Sequence, residues 1–117
     1  DFVPDVAVRD GDVIAGEDFD VECLHTPGHI SNHVCFADRT RRCLFSGDHV
    51  FWGGKIILQN VADSSVQDYA KSMNLLLEYD FQALMPGHLN FSLENGRRHV
   101  QSAADQFNRI GLPPSLL

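Results

Sequence analysis

The sequence lacks the paired cysteines, long apolar runs and leader segment that mark several large protein classes. Its three cysteines are odd in number and show no C-x-x-C spacing, so neither a disulfide framework nor a thiolate zinc finger is expected. No run of about 18 apolar residues is present to cross a membrane, and the first residues do not form a signal peptide. These absences favour a reducing, cytoplasmic setting and no membrane partner.

Basic residues are also scarce, because 9 Lys and Arg stand against 16 Asp and Glu and give a formal net charge of −7. The densest basic group is Arg39, Arg41 and Arg42, which is too small for a surface that binds phosphate backbones. We therefore expect no nucleic-acid partner. Surplus acid also suits a site that attracts cations, although it is more often an ordinary solvated surface.

The length of 117 residues and the 44% hydrophobic content fit one domain over residues 1–117. A capping box at Ser64 and the apolar stripe that follows it predict a helix over 66–77. A second helix is expected from about Ser92 to Ile110, with Gly111 as its C-cap. Apolar runs predict six short strands, at 6–8, 13–14, 19–24, 34–36, 43–45 and 81–85.

The predicted order of elements is β-β-β-β-β-α-β-α, which is typical of an α/β layered domain whose sheet is covered by helices. Two helices are few for a sheet of this size. One face of the sheet is therefore expected to need another layer.

Three side chains that can bind metals each follow an apolar strand and a small turn. His29 ends the string TPGH, Asp48 ends LFSGD and His88 ends PGH. Strand ends at one edge of a sheet are where α/β folds build sites, imidazole binds Zn²⁺, and a carboxylate can bridge two cations. A lone His after Pro-Gly is usually a surface residue, and Gly-Asp is usually a turn. Spacing alone therefore supports a metal site and ordinary surface positions about equally.

Taken in order, HTPGH at 25–29, LFSGD at 44–48 and MPGH at 85–88 resemble the last three motifs of the metallo-β-lactamase superfamily. VRDGD at 8–12 is similar to the turn that often precedes the first of them. The resemblance extends over nearly the whole chain and implies half of an αββα sandwich, with a mostly antiparallel or mixed sheet and two main helices. It also implies that His29 binds a first metal, Asp48 bridges two metals and His88 binds the second.

The resemblance further implies a hydrolase that uses two zinc ions, or alternatively iron or manganese. A bridging hydroxide would attack an ester, thioester or phosphoester of a small-molecule substrate, so Asp48 would be catalytic as well as a ligand. The first motif of the family, H-x-H-x-D-H, does not occur in the sequence, and with it four ligands are missing. We expect the intact protein to be a hydrolase and this chain alone to be inactive. The alternative is a non-catalytic half-domain that forms a homodimer or pairs with the missing N-terminal half.

Five further residues are weaker candidates. His25 opens the HTPGH string and is expected to support the ligands or the fold, and His49 could contact substrate or metal. Trp52 follows in a loop that borders the substrate pocket of such enzymes, although an ordinary packed Trp is the better interpretation. His33 is expected to be structural, and His99 is expected to be exposed on the last helix.

Overall fold

The computed structural model describes residues 2–109 and 111–116. In this part of the chain five strands form one sheet in the order β1-β2-β3-β4-β5. The strands are β1 (Val13–Ala15), β2 (Asp20–His25), β3 (Val34–Asp38), β4 (Cys43–Gly47) and β5 (Ala83–Pro86), and the helices are α1 (Val66–Leu76) and α2 (Arg97–Asn108). The predicted α/β class is confirmed.

The directions of the strands bring three chain segments to one edge of the sheet. Strands β1 to β4 pair antiparallel in succession, whereas β4 and β5 pair parallel. Strands β2, β4 and β5 therefore run in the same direction, and their carboxyl ends meet at one edge. That edge is where the three candidate ligands of the sequence lie.

Both helices pack on the same face of the sheet. Alternation along each strand sends every second side chain to that face, where the strand and helix residues form one core. Its buried members include Leu24, Cys35, Ala37, Leu44 and Leu84 from the strands, and Tyr69, Met73, Leu76, Val100, Ala103 and Ala104 from the helices.

Neither α1 nor α2 covers the opposite face of the sheet. Phe36 pairs with Phe45, and Phe45 pairs with Met85, so these three side chains stand in one row, which we call the open face. Phe45 is 44% exposed and the other two are half-buried. The additional layer that the helix count predicted would belong here.

The predicted start of the second helix is wrong. Ser92 pairs with Leu84, whose N–H donates to the Ser92 carbonyl at 2.8 Å and whose carbonyl accepts from the Ser92 N–H at 3.0 Å. Because this backbone is engaged at the edge of the sheet, α2 begins only at Arg97. The predicted end at Ile110 lies outside the described residues, but the Gly111 N–H donates to the Gln106 carbonyl at 3.1 Å, as a helix-closing residue does.

The strand predicted at 6–8 is not formed either, and these residues adopt no regular secondary structure. The chain turns immediately afterwards, where the Asp12 N–H donates to the Arg9 carbonyl at 3.0 Å and the Asp12 carboxylate accepts from the Arg9 N–H at 2.8 Å. An isolated extended segment has no ladder to join, and alternation without a neighbouring strand does not make a sheet.

The three cysteines are free and buried. Burial raises the pKa of the Cys35 thiol to about 12, so Cys35 is a protonated core residue. Within residues 2–109 and 111–116, no helix is long and apolar enough to cross a bilayer.

Candidate metal centre

His29, Asp48 and His88 come together beyond the ends of β2, β4 and β5. Nε2 of His29 lies 3.7 Å from Oδ2 of Asp48, and Nε2 of His88 lies 3.1 Å from Oδ1 of the same carboxylate. Each carboxylate oxygen therefore faces a different imidazole. This is the arrangement of one acid shared between two nitrogen donors.

Glycines make the three turns that carry these side chains. Gly28 has a φ of +153°, and a Cβ there would lie 2.6 Å from the Cα of Tyr69. Gly47 has a φ of +52°, which is the left-handed region that favours glycine. A Cβ on Gly87 would lie 2.9 Å from Oδ1 of Asp48, and the Gly87 N–H donates to the Gly47 carbonyl at 2.7 Å. Glycine is thus required in the motifs because neighbouring atoms lie too close for a side chain or because φ is positive.

The ring of His29 is held in one tautomer. Its Nδ1 lies 3.0 Å from the carbonyl oxygen of Ile57, and because a carbonyl only accepts, Nδ1 must carry the proton. Nε2 is then the ring nitrogen that faces Asp48. A backbone carbonyl behind the distal nitrogen is the usual support of a metal-binding imidazole.

His33 supports Asp48 through the backbone. Its Nε2 accepts the Asp48 N–H at 3.1 Å, so its Nδ1 is protonated and donates to Oγ1 of Thr26 at 2.9 Å. Thr26 in turn donates to Sγ of Cys35 at 3.3 Å, and Cys35 donates to the Ser46 carbonyl at 3.7 Å. Burial, followed by the neighbouring His29, lowers the pKa of His33. A neutral His33 therefore fixes the position of Asp48.

Tyr69 is a functional contact that the sequence pattern did not single out, because it lies within the apolar stripe of α1. Its hydroxyl donates to the His49 carbonyl at 2.5 Å and lies 3.2 Å from the Asp48 carbonyl. The same oxygen accepts the Ile57 N–H at 3.3 Å. Tyr69 therefore ties α1 to the backbone on both sides of the centre. The sequence does contain one indication of this role: a tyrosine on the buried face of a helix needs a hydrogen-bond partner for its hydroxyl.

His49 lies in the core beneath the centre and does not reach its surface. The ring is fully buried and stacks on Tyr69 with centroids 4.6 Å apart. Burial lowers the pKa of His49 to about 3, with smaller contributions from His33 and His29. Neither ring nitrogen has a hydrogen-bond partner among the described residues. That His49 contacts substrate or metal stays a prediction.

His25 and Trp52 lie in the chain segments next to His29 and Asp48 and contact other residues. Nε2 of His25 lies 2.8 Å from the Ser31 carbonyl, so this exposed side chain closes the loop that carries His29. Trp52 is 43% exposed, although we expected an ordinary packed Trp. It is only partly covered because it lies on the surface of α2, where it contacts His99 (centroids 5.1 Å apart) and Arg98 (5.9 Å from the ring).

The prediction that His99 is exposed is wrong, because the side chain is only 3% exposed. Its Nδ1 accepts the Gly53 N–H at 2.8 Å, and its Nε2 lies 2.8 Å from Oγ of Ser92. His99 thus joins the turn after Asp48 to the segment after His88. Burial and the adjacent Arg98 lower its pKa, which keeps the ring neutral for both contacts.

Across the described ranges, no group of three or more His, Cys, Asp or Glu side chains is arranged to hold one metal ion. The centre instead contains two pairs, His29 with Asp48 and His88 with Asp48, which share the carboxylate. Two protein donors on each side are fewer than a closed tetrahedral site requires. Imidazole and carboxylate donors fit a pair of divalent ions, and each of the two positions lacks further protein ligands among the described residues.

Comparison with known proteins decides the family. The family model described as the metallo-beta-lactamase superfamily matches residues 1–88, which include all three candidate ligands. The chain belongs to the metallo-β-lactamase superfamily. The resemblance found in the sequence motifs is therefore confirmed.

Two curated relatives of this superfamily member illustrate the chemistry of similar proteins. Acyl-coenzyme A thioesterase MBLAC2 of Homo sapiens is 34% identical over 114 residues, which cover 93% of this chain and 39% of the relative. Hydroxyacylglutathione hydrolase of Polaromonas sp. is 36% identical over 86 residues, which cover 72% of this chain and 33% of the relative. The chain thus spans about two fifths or less of the length of these relatives.

Solved structures show the same half-fold. Metallo-beta-lactamase family protein TTHA1429 from Thermus thermophilus superposes with a TM-score of 0.73 at 19% identity, over 87% of this chain and 35% of that one. TTHA1623, solved in a di-iron-bound form, gives a TM-score of 0.64 at 25% identity, over 82% of this chain and 46% of that one. The expected half of a metallo-β-lactamase sandwich is confirmed.

Proposed function

We propose that this chain carries one part of the two-metal centre of a hydrolase that cleaves acyl thioesters or esters. The observation that carries the proposal is the shared carboxylate, whose two oxygens face His29 at 3.7 Å and His88 at 3.1 Å. A carboxylate placed in this way can bridge two cations and offset part of their charge. His29 would hold the first ion, His88 the second, and Asp48 both.

The residues around the ligands hold and orient them. The Ile57 carbonyl fixes the His29 tautomer, His33 holds the Asp48 amide, and Tyr69 holds the following carbonyl. Such supports keep ligand atoms in place without contacting the substrate. When bound, divalent metal ions supply Lewis acidity and generate a nucleophile from water at neutral pH.

Zinc is the metal that we propose, because imidazole and carboxylate are ligands that it accepts readily. Iron and manganese suit the same donors, and the di-iron form of TTHA1623 supports iron as the first alternative. Acyl thioesters are the proposed substrates because similar proteins are named acyl-coenzyme A thioesterase and atrochrysone carboxyl ACP thioesterase.

The first test is the metal content of the protein, purified without a metal-affinity tag. We expect near-stoichiometric zinc, iron or manganese by elemental analysis, and a lower content in His88→Ala, since His88 is a proposed ligand of the second ion whereas the first ion keeps His29 and Asp48. Asp20→Ala is the matched control, because this exposed carboxylate begins β2, at the end of the strand opposite His29, and it should retain the metal. A wild-type content no higher than that of His88→Ala would contradict a centre in this chain.

The same samples distinguish a hydrolase from a binding module. Each is incubated with an acyl thioester, and the released thiol is followed with a chromogenic disulfide. Because H-x-H-x-D-H is missing from the sequence, we expect slow thiol release from this chain alone. Release that exceeds that of His88→Ala would assign hydrolysis to this chain, and retained metal without any release would favour the non-catalytic half-domain.

A second candidate function is assembly through the open face. Phe36, Phe45 and Met85 form an apolar row on the sheet face opposite the helices, and exposed apolar rows of this kind mark association surfaces. We propose that two copies pack with these faces together, which would hide the row in each copy. The interface would be isologous, with the same residues on both sides.

Light scattering tests this assembly. The chain has a mass of 13.1 kDa, so a dimer has twice that value, 26.2 kDa. We expect a dimer for the wild type and a shift toward the monomer for Phe45→Thr, which keeps β propensity but removes the exposed ring. Val61→Thr, at a site that is also exposed but lies in a loop, should leave the mass unchanged. A wild-type monomer would refute the proposal.

A further inference from the structure

Near the end of the described residues, the chain pairs with the loop that precedes α1. We call residues 112–116 the bridging segment. The Ile56 N–H donates to the Pro114 carbonyl at 3.0 Å, and the Leu116 N–H donates to the Ile56 carbonyl at 2.9 Å. Ile56 and Ser115 thereby form a parallel bridge. Because Ile56 is fully buried, the bridging segment is joined to the core of the domain.

The bridging segment also restrains the peptide unit that supports His29. That unit joins Ile57 to Leu58, and its carbonyl lies 3.0 Å from Nδ1 of His29. On its other side, the Leu58 N–H donates to Oγ of Ser115 at 3.4 Å. The N–H and the carbonyl of a trans peptide lie in one plane and point in opposite directions, so a contact at the N–H restrains the carbonyl. Ser115 therefore acts on the group that fixes the His29 ring.

The preceding peptide unit, from Ile56 to Ile57, is restrained on both of its sides. Its carbonyl accepts the Leu116 N–H at 2.9 Å, and its N–H donates to the Tyr69 hydroxyl at 3.3 Å. The two peptide units share the Cα of Ile57, so a rotation of the first displaces the second. The bridging segment and α1 thus hold the backbone of Ile57 between them.

Two acceptors compete for the single ring proton of a neutral His29. The Ile57 carbonyl lies within hydrogen-bonding distance of Nδ1, whereas the Asp48 carboxylate lies beyond that distance from Nε2. The proton is therefore on Nδ1, and Nε2 is the nitrogen that can bind a cation. The two distances differ by only 0.7 Å, 3.7 against 3.0 Å. A shift of the Ile57 carbonyl by this amount would let the proton occupy Nε2 and block the ligand atom.

We infer that the bridging segment positions His29 for metal binding, with Ser115 and Leu116 as positioning residues that act through the Ile57 carbonyl. The inference rests on the proposed function, in which His29 binds the first ion. It extends the site beyond residue 88, where the match to the family model ends. Loss of a group that supports a ligand lowers metal affinity about 10-fold to 100-fold, and we expect the lower value because these residues act through a neighbour.

Leu116→Pro tests the inference, because proline lacks the N–H that the Ile56 carbonyl accepts. Leu116→Ala is the matched control, since it shortens the same half-buried side chain but keeps the N–H. Ser115→Ala and Ser115→Thr form a second pair, in which only the alanine removes the acceptor of the Leu58 N–H. Ser115 is exposed, so this pair remains informative if circular dichroism shows that Leu116→Pro does not fold.

The first readout is the tautomer of His29 in protein freed of metal with a chelator. Long-range proton–nitrogen NMR spectra of isotope-labelled histidine distinguish the two ring nitrogens, and the His29 signals are assigned by their loss in His29→Gln. The spectra are recorded at about pH 8.5, where an ordinary histidine is neutral. We expect the Nδ1–H form in the wild type, Leu116→Ala and Ser115→Thr, and a mixture of both forms in Leu116→Pro. Ser115→Ala should change in the same direction but less, because its bond is the longer one.

The second readout is zinc affinity, measured by competition with a chromogenic chelator. We expect the first ion to bind about tenfold more weakly in Leu116→Pro than in Leu116→Ala. A mixture of tautomers already in the wild type would overturn the inference, as would equal spectra for proline and alanine at position 116. If Leu116→Pro is unfolded, an unchanged tautomer in Ser115→Ala would overturn it.

The absence of metal from the NMR samples separates the two proposals. A wild type that binds no metal contradicts the proposed function, while the tautomer still decides whether the bridging segment holds His29. Normal metal content with the same tautomer in all variants contradicts the inference alone.

Discussion

Replacing Gly28 with alanine is expected to lower the free energy of unfolding by about 3 kcal/mol, from backbone strain and overpacking together. An added Cβ would lie 2.6 Å from both Cα and Cγ of Tyr69. The Cα cannot move by rotation of a side chain, so either the turn that carries His29 or helix α1 must shift. Urea unfolding followed by circular dichroism measures the change.

Gly53→Ala is the matched control for this prediction. Gly53 also has a positive φ, +82°, but a Cβ there would meet no atom within 4 Å. It should cost only about 1 kcal/mol, from the backbone conformation alone. Equal losses in the two variants would show that the close approach to Tyr69 is not what requires glycine at position 28.

Replacing Asp48 with asparagine is expected to weaken metal binding at least about 100-fold, since even residues that only support a ligand change affinity by up to about that factor. The substitution preserves shape but removes the negative charge and converts one of the two acceptor oxygens into a donor. Since each oxygen faces a different imidazole, both proposed ions are affected. Competition with a chromogenic zinc chelator gives the two affinities.

Asp63→Asn controls for the change in net charge, which is the same in both variants. The Asp63 carboxylate accepts the Ser31 N–H at 3.2 Å and has no contact with the three proposed ligands. We expect its affinity for zinc to remain within about twofold of the wild type, as for a surface substitution. A similar loss in both variants would mean that general electrostatics, and not the bridging carboxylate, governs metal binding.

The placement of the candidate ligands was accessible from sequence because each depends on local chemistry. Pro-Gly or Gly alone ends an apolar strand in all three motifs, and the next residue must leave the sheet at its edge. The directions of β2, β4 and β5 then bring His29, Asp48 and His88 together. Motif and topology agree, which is why these three predicted positions meet in space.

The burial of His99 and His49 and their contacts with other elements cannot be predicted from the local sequence. His99 lies four residues before Ala103 and therefore borders the apolar stripe of α2, but only Gly53 and Ser92, which lie outside the helix, make its burial favourable. The sequence pattern extends the helix back to Ser92 because local propensity does not show that Ser92 pairs with Leu84. His49 is buried because Tyr69 stacks on it from another element. In each case tertiary structure overrode the local pattern.

The hydrogen bonds that support the Asp48 backbone restrict which residues can occupy positions 26, 33 and 35. From the Asp48 amide they run through His33, Thr26 and Cys35 and return to the Ser46 carbonyl, two residues from where they began. Every bond has the same donor direction, so each of these side chains both accepts one hydrogen bond and donates the next. Valine in place of Thr26, for example, would leave the His33 Nδ1–H without an acceptor and Cys35 Sγ without a donor, so that a buried donor is unpaired. The three positions should therefore be inherited as a set, and substitutions among relatives at one of them should be accompanied by substitutions at the others.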